Sequence, residues 1–509
     1  MTVLRQWTDG DVVKKTLDKD LDRIARIESQ TLQATQTYKA LALALLFLLI
    51  VWVFSASIIG SGEHSTLIIV AAIIGGYMAL NIGANDVANN VGPAVGSKAL
   101  SMVGALIIAA IFEAAGAILA GGDVVSTIKK GIIDPAGMDN SQIFIWAMMS
   151  ALFAAAAWVN IATWVGAPVS TTHAVVGGVM GAGIAAAGFG VVNWPTMYKI
   201  AASWVISPVM GGVIAAFFLA IIKFNIIYKE DKVAASKKWV PILVAIMAAV
   251  FSSYLIMKGL KRIWKPDMIV ICAIAIAILI GTWLIVRPII AQAAIGMENR
   301  NKSVRALFTI PLIFSAALLS FAHGANDVAN AVGPLAAIVG TTDSGAIAGK
   351  VGIPLWVMVI GAFGISAGLF LFGPKLIRTV GEQITKMNPM RAFCVALSAG
   401  ITVLIASALG LPVSSTHIAV GAVFGVGFFR EWDTERRARN FRNDLRARKI
   451  NPDSNLPDDI TEEPATVNRR KKLVRRSHLM TIVAAWIITV PCAALLSAGI
   501  FLIISTFMS

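Results

Sequence analysis

The sequence predicts an all-α polytopic membrane protein of two inverted-topology repeats, with broken helices and helical hairpins, crossing the bilayer about 12–13 times. Three observations carry this expectation. Apolar runs near the roughly 20 residues that span a bilayer recur along the chain. Basic residues crowd into the segments between them, and a set of short polar motifs set in apolar sequence occurs twice in the same order.

The 509 residues are 57% hydrophobic and only 14% charged, with a mean hydropathy of +0.78. A soluble domain of this length needs far more polar surface, and an outer-membrane barrel would alternate in segments of about ten residues. The net charge of +15 would suggest nucleic acid in a soluble protein. Here the bases lie between spans, so the positive-inside rule accounts for them and no nucleic-acid partner is expected. Cys272, Cys394 and Cys492 all fall in apolar runs, with no disulfide framework or zinc spacing.

The elements follow in order. Residues 1–38 carry Val13, Leu17, Leu21 and Ile24 at helical spacing among charges: an amphipathic helix on the membrane or a partner, or a plain solvated one. An extra transmembrane helix is expected over 39–61, too late and too long for a cleaved signal peptide. A first repeat over 66–190 contains "GANDVANNVGP" (Gly83 to Pro93) and "PVSTTH" (Pro168 to His173). Connecting helices fill 195–290. A second repeat over 305–430 contains "GANDVANAVGP" (Gly324 to Pro334) and "PVSSTH" (Pro412 to His417). Asp327 follows Asp86 by 241 residues, His417 follows His173 by 244, and Gly373 and Thr379 follow Gly121 and Thr127 by 252. The shifting offsets mark insertions and deletions in loops. Residues 431–477 read as a charged cytoplasmic loop, a topology determinant or an anionic-lipid contact, and 478–507 as a final transmembrane helix. With the bases of Lys223 to Lys238 placed in the cytoplasm, counting crossings puts Asp86 near the cytoplasmic end of its helix and Asp327 near the external end of its own. The repeats are then inverted. Lys258, Lys261, Arg262 and Lys265 fall outside, against the rule.

Asp86 and Asp327 are the central chemical feature. An ionised carboxylate at the bilayer centre costs at least ~2.5–3.5 kcal/mol, and two in equivalent places imply a use. Helix capping by Asn-Asp is the structural alternative. If Gly83 and Gly324 break the preceding helices, freed carbonyls together with Asn85, Asp86, Asn326 and Asp327 form an oxygen-rich nest for a hard cation such as sodium. Asn89 and Asn330 share that helical face. In each PVS[TS]TH segment a proline interrupts the helix. Ser170, Thr171 and Thr172, with Ser414, Ser415 and Thr416, then stand at the starts of new helices. Ordinary N-capping explains one such cluster. Two facing helix starts rich in hydroxyls make a site for a tetrahedral oxyanion.

Glu113 is a further intramembrane carboxylate, with Gly364 as its expected counterpart. It reads as a proton or cation site in one half, or as a hydrogen-bonding hub between helices. His173 and His417 read as packed, hydrogen-bonded residues rather than metal ligands, and His323, lacking a repeat counterpart, as having no symmetrical role. Lys98, Lys129 and Lys130 read as loop or interface charges. Two aspartates beside an oxyanion repel it unless cations arrive too. Moving an anion into a negative interior also works against about 2.3 kcal/mol per charge per 100 mV. Both points favour cation-coupled symport, with Asp86 and Asp327 shared between cation and anion.

The paired GANDVAN and PVS[TS]TH segments, with "IFEAAGAILAGGDVVSTIKKGI", resemble the inorganic phosphate transporter family known as PiT, in its sodium-coupled branch, over about 66–430 and the final span. The resemblance implies inverted repeats with phosphate and sodium at a midplane site. It assigns the acidic role to Asp86 and Asp327, cation liganding to Asn85 and Asn326, and phosphate contacts to Ser170, Thr171, Ser414 and Ser415, with Thr172 and Thr416 beside them. It also implies import across the cell membrane, a homodimer, and no cofactor beyond co-transported sodium or protons. Sulfate as the anion and protons as the coupling ion remain open from the motifs. An intramembrane hydrolase would need one asymmetric nucleophile–base pair, whereas here every part comes twice. A passive channel would carry flux without a cation gradient.

Overall fold

The computed structural model describes residues 38–450 and 476–508, apart from 63, 135–136, 139, 168, 260–263, 345–351 and 384–386. The expected N-terminal amphipathic helix and the centre of the charged loop lie outside the described residues. The described chain is helical: α1 (Tyr38–Ile59), α2 (Ser65–Gly96), α3 (Met102–Ala120), α4 (Gly122–Lys130), α5 (Ser141–Val165), α6 (Thr171–Ala187), α7 (Trp194–Ile222), α8 (Lys232–Tyr254), α9 (Met268–Ala293), α10 (Asn301–Leu307), α11 (Thr309–Ser344), α12 (Leu355–Gln383), α13 (Pro389–Ala408), α14 (Ser415–Ile450) and α15 (Arg476–Met508). Among the described residues eleven helices are long and apolar enough to cross a membrane; α6 is apolar but shorter. The start of α14 matches α6 in the duplication, so the crossings expected beyond eleven correspond to these two hairpin arms. From Glu431 to Ile450 the charged segment is not a loop: it continues α14 as helix.

Side-chain caps set the starts. Asn140, Asn193, Asp231 and Asn388 each accept a backbone N–H from the first turn of α5, α7, α8 and α13. The hairpins α5–α6 and α13–α14 turn on Gly166 (φ +81°) and Gly410 (φ +68°), left-handed positions that favour glycine.

The two units exchange partners. α2 packs along α12 while its equivalent α11 packs along α3; α6 packs on α15 while its equivalent α14 packs on α7. Glycine makes these contacts close. A Cβ on Gly83 would run into the carbonyl of Ile365, and one on Gly324 into the carbonyl of Glu113. Gly177 and Gly181 meet the backbone at Val490 and Ala494, as Gly421 and Gly425 meet it at Pro208 and Gly212. With lipid as apolar as any side chain, such backbone approach is what binds helices together.

Two apolar clusters form the core, and the first helix of each unit passes through both. On α2, Met78 to Ile82 belong to one cluster and Val87 to Ala94 to the other. On α11 the order reverses: Leu312 to Ala325 lie in the second cluster and Val328 to Val339 in the first. The Asn-Asp pairs sit at the boundary on both helices.

Candidate functional site

α2 and α11 run unbroken through the GANDVAN segments. This corrects two expectations: Gly83 and Gly324 do not interrupt the helices to free carbonyls, and the aspartates do not cap helix starts. A broken helix would leave backbone groups to satisfy at membrane depth, whereas an intact one lets the glycines serve packing. The polar layer is therefore made of side chains. Asp86 and Asp327 are each 1% exposed, and Glu113 and His323 are fully buried.

The hairpin helices supply the hydroxyls. α6 begins at Thr171, with Ser170 Oγ accepting the His173 N–H at 3.1 Å; Ser414 Oγ accepts the His417 N–H at 3.3 Å. Capping therefore occupies Ser170 and Ser414. The next hydroxyls turn to the carboxylates. Thr171 donates to Asp86 Oδ2 at 2.9 Å, and Ser415 to Asp327 Oδ2 at 2.7 Å. Thr416 donates to Asp86 Oδ1 at 3.0 Å. Thr172 lies 3.4 Å from Asp327 Oδ1 and donates to the Val413 carbonyl at 2.9 Å. Asn89 donates to Thr416 Oγ1 at 2.9 Å, and Asn330 to Thr172 Oγ1 at 3.1 Å. Each aspartate is thus held between both hairpins.

Asn85 and Asn326 anchor the hairpin ends. Asn85 donates to Thr163 Oγ1 and Asn326 to Ser407 Oγ, both at 2.9 Å. Thr163 and Ser407 stand 244 residues apart, the PVS[TS]TH offset, a signal that sequence reading passed over. In addition, Val413 N–H donates to Asn326 Oδ1 at 3.2 Å.

One side of the centre has no repeat. His323 Nε2 is 2.8 Å from Asp327 Oδ2 and 3.8 Å from Asp86 Oδ2, and its Nδ1 is 3.3 Å from Glu113 Oε1. Asn90 donates to Glu113 Oε1 at 2.7 Å. The counterpart of Glu113 is Ile365, which meets Gly83 as Glu113 meets Gly324; Gly364 is its neighbour. Reasoning from symmetry set His323 aside, yet its ring nitrogens lie within 4 Å of all three acids.

The donor set fits a hard cation. Asp86, His323 and Asp327 each offer one ligand atom, and these atoms lie within 4.8 Å of one another. Asn85 Oδ1, Asn90 Oδ1, Asn330 Oδ1 and Glu113 Oε2 are buried acceptors without a hydrogen-bond partner among the described residues. A buried acceptor left unpaired costs ~1–3 kcal/mol, which a cation bound to it would offset. Asp86 and Asp327 meet at this layer, with Glu113 reached through His323, while Asn85 and Asn326 turn their amides to the hairpin ends.

His173 and His417 meet edge to face, ring centroids 4.4 Å apart. Each also lies against a tryptophan: His173 on Trp204 at 3.8 Å and His417 on Trp486 at 3.6 Å. Both histidines are packed as expected, but none of their four ring nitrogens has a hydrogen-bond partner among the described residues, so the hydrogen-bonded part of that reading does not hold. Trp204 Nε1 donates to the Pro412 carbonyl at 3.2 Å, tying α7 to the other hairpin. Finding the tryptophans in sequence would have required aligning α7 with α15.

Buried carboxylates held by hydroxyls of two hairpins, in a bundle of eleven candidate spans, define a multi-pass membrane transporter rather than an enzyme. The chain belongs to the phosphate transporter family, whose family model matches residues 82–497. A Helicobacter pylori (strain J99) protein described as "Putative phosphate permease" is 48% identical over 95% of this chain and 98% of its own length. One from Pyrococcus abyssi with the same description is 33% identical over 86% of this chain and 98% of its own length. A solved structure described as "The sodium-dependent phosphate transporter" shares 35% identity and a TM-score of 0.75, covering 87% of this chain and 99% of that one.

Proposed function

We propose that the protein is a sodium-coupled symporter that imports inorganic phosphate across the cell membrane by alternating access. The observation that carries this is the double attachment of each aspartate: Asp86 to Thr171 and Thr416, Asp327 to Ser415 with Thr172 close by. The hydroxyls that would hold an oxyanion are the ones that now hold the carboxylates. A cation bound by Asp86, Asp327, Asn85 and Asn326 competes for those carboxylates and releases Ser415, Thr171 and Thr416 to the anion. Ser170, Ser414 and Thr172 complete the helix starts around it. Cation and phosphate then bind together, as symport requires. The structural neighbour's sodium dependence supports the cation. The opposite passage of α2 and α11 through the two apolar clusters supports inverted repeats that rock about a shared site.

Proton coupling is the second reading, and His323 favours it: an imidazole between Glu113 and Asp327 is a place to carry a proton. Proteoliposomes loaded with imposed sodium or proton gradients, fed labelled phosphate with sulfate as competitor, separate the cases. Uptake that follows the sodium gradient and resists sulfate is expected. Uptake driven only by protons would replace the cation, and transport of sulfate alone would remove the anion. A homodimer belongs to the same proposal; cross-linking of the purified chain tests it.

A further inference from the structure

A groove of about 420 Å³ opens between α7 and α13. Ile206 and Met210 on α7, Ile405 and Leu409 on α13, and Leu411 of the hairpin turn form its walls. The first four are exposed, so the groove faces outward along two candidate spans, where lipid lies. The hydroxyls of Ser203 and Thr402, also in the wall, are spent on carbonyls of their own helices, and Ser207 Oγ has no partner among the described residues. Lys199 is the one charged residue of the lining, and its ammonium has no ion pair among the described residues. It stands in the second turn of α7, beside the exposed aromatics Trp194 and Tyr198. Tryptophan and tyrosine at the end of a span mark the membrane–water interface. The base is therefore at headgroup level, and the apolar walls run inward from it. From Lys199 to Ile214 the groove follows α7 for about 22 Å, at ~1.5 Å per residue. One leaflet's share of the ~30 Å hydrocarbon core is about 15 Å, so a chain hanging from the interface stays in the groove for its full length.

We propose that this groove binds one acyl chain of an anionic phospholipid, with the headgroup held at Lys199. An outward groove in hydrocarbon does not stay empty, because its walls would lose their dispersion contacts. At about 30 Å³ for a water-sized group, the groove takes on the order of 14 methylenes, one chain rather than two. Lipid tails are alike in their apolarity, so the walls by themselves choose no lipid. The unpaired base at the mouth does: one lysine near the surface favours an anionic lipid about fivefold over a zwitterionic one. The groove also reaches the hairpin turn. The Leu411 carbonyl accepts from Asn326 at 3.1 Å, and the Pro412 carbonyl accepts from Trp204 at 3.2 Å. A chain seated against Leu411 therefore rests on the turn that joins α7 to Asn326 of α11. The inference concerns lipid binding and does not rest on the transport mechanism proposed above.

The test uses the purified full chain in detergent with equimolar dioleoyl phosphatidylglycerol and dioleoyl phosphatidylcholine. Native mass spectrometry counts the lipids of each kind retained per chain. Ala202→Trp fills the groove from its exposed rim and should retain one lipid fewer than the parent. That extra lipid should be phosphatidylglycerol over phosphatidylcholine by about fivefold. In Lys199→Gln the extra lipid should remain while the preference falls to near parity. Lys238→Gln, an exposed base elsewhere, should change neither reading. Equal lipid counts in the parent and Ala202→Trp overturn the proposal, as does a headgroup preference that Lys199→Gln leaves intact. A parent dimer that Ala202→Trp separates without loss of lipid would put a second copy in the groove and also overturn it. Lys199 is exposed, so its variant decides the headgroup claim even if Ala202→Trp fails to fold: an unchanged preference sinks the proposal on its own.

Discussion

Replacing Asp86 with Asn separates charge from shape at the centre. The side chain keeps its size and one acceptor oxygen, so Thr171 or Thr416, now 2.9 and 3.0 Å from the carboxylate, keeps a partner. The other meets an amide donor. Hydrogen bonds to charged groups contribute ~1.5–3 kcal/mol and neutral ones ~0.5–1.5, while the burial of a charge is relieved. The two effects oppose, and the fold should survive with a small shift in melting temperature. Cation binding has no such compensation. The ligand atoms of Asp86, His323 and Asp327 lie within 4.8 Å of one another, so a cation among them is within 4 Å of each. At that distance one charge contributes ~4 kcal/mol at an effective dielectric near 20, about three decades of affinity. The assay is labelled phosphate uptake into proteoliposomes at graded sodium. Asp86→Asn should raise the half-saturating sodium concentration by about 10³, leaving no measurable coupled uptake. A sodium curve within threefold of the parent's would refute the assignment.

Three further outcomes follow from the packing. Gly83→Ala and Gly324→Ala each force a methyl against a facing backbone carbonyl, a strain of ~1–3 kcal/mol or more; thermal melting in detergent should show both losses, and a loss at one position alone would break the equivalence of the units. Trp204→Ala and Trp486→Ala each empty the face of a buried histidine; both tryptophans are partly buried, so each loss should fall below the ~3–5 kcal/mol of a fully buried one, read by the same melts. Asp433 tests pH dependence outside the membrane spans. Burial pushes its carboxyl up, but hydrogen bonds from Lys223 and Tyr228 and nearby positive charge outweigh this and hold it below the ordinary value of 3.8. Its contribution is complete above that value and lost as pH falls below it, so Asp433→Asn should flatten the acid limb of stability below pH 3.8; an unchanged limb excludes the pair as its source.

The duplication made much of this legible. Equal offsets named the residues that face each other, including the aspartates, the hydroxyls and the packing glycines. Two habits of reading went astray. Glycine before Asn-Asp reads as a breaker because it weakens helices in water; in lipid its use is close backbone approach. Symmetry favoured paired residues, so His323 and Asn90, which act in one half only, carried no weight. Glu113 was matched to Gly364, although the 252-residue offset of its neighbours points to Ile365. The misplaced base Lys258 has a local answer in its 2.5 Å ion pair with Asp123; Lys261 and Arg262 lie outside the described residues. Lys129, expected in a loop or interface, is 2% exposed.

The bond between Thr416 and Asp86 spans 330 residues, and that separation is also a time. A ribosome adding 5–20 residues per second reaches Thr416 about 15–65 s after Asp86. Thr171 comes early, but α6 packs on α15, which is made later than Thr416. Through that interval the nascent chain must hold a carboxylate at membrane depth without its final partners. A chain stopped before α14 leaves Asp86 without one of the two hydroxyls that hold it.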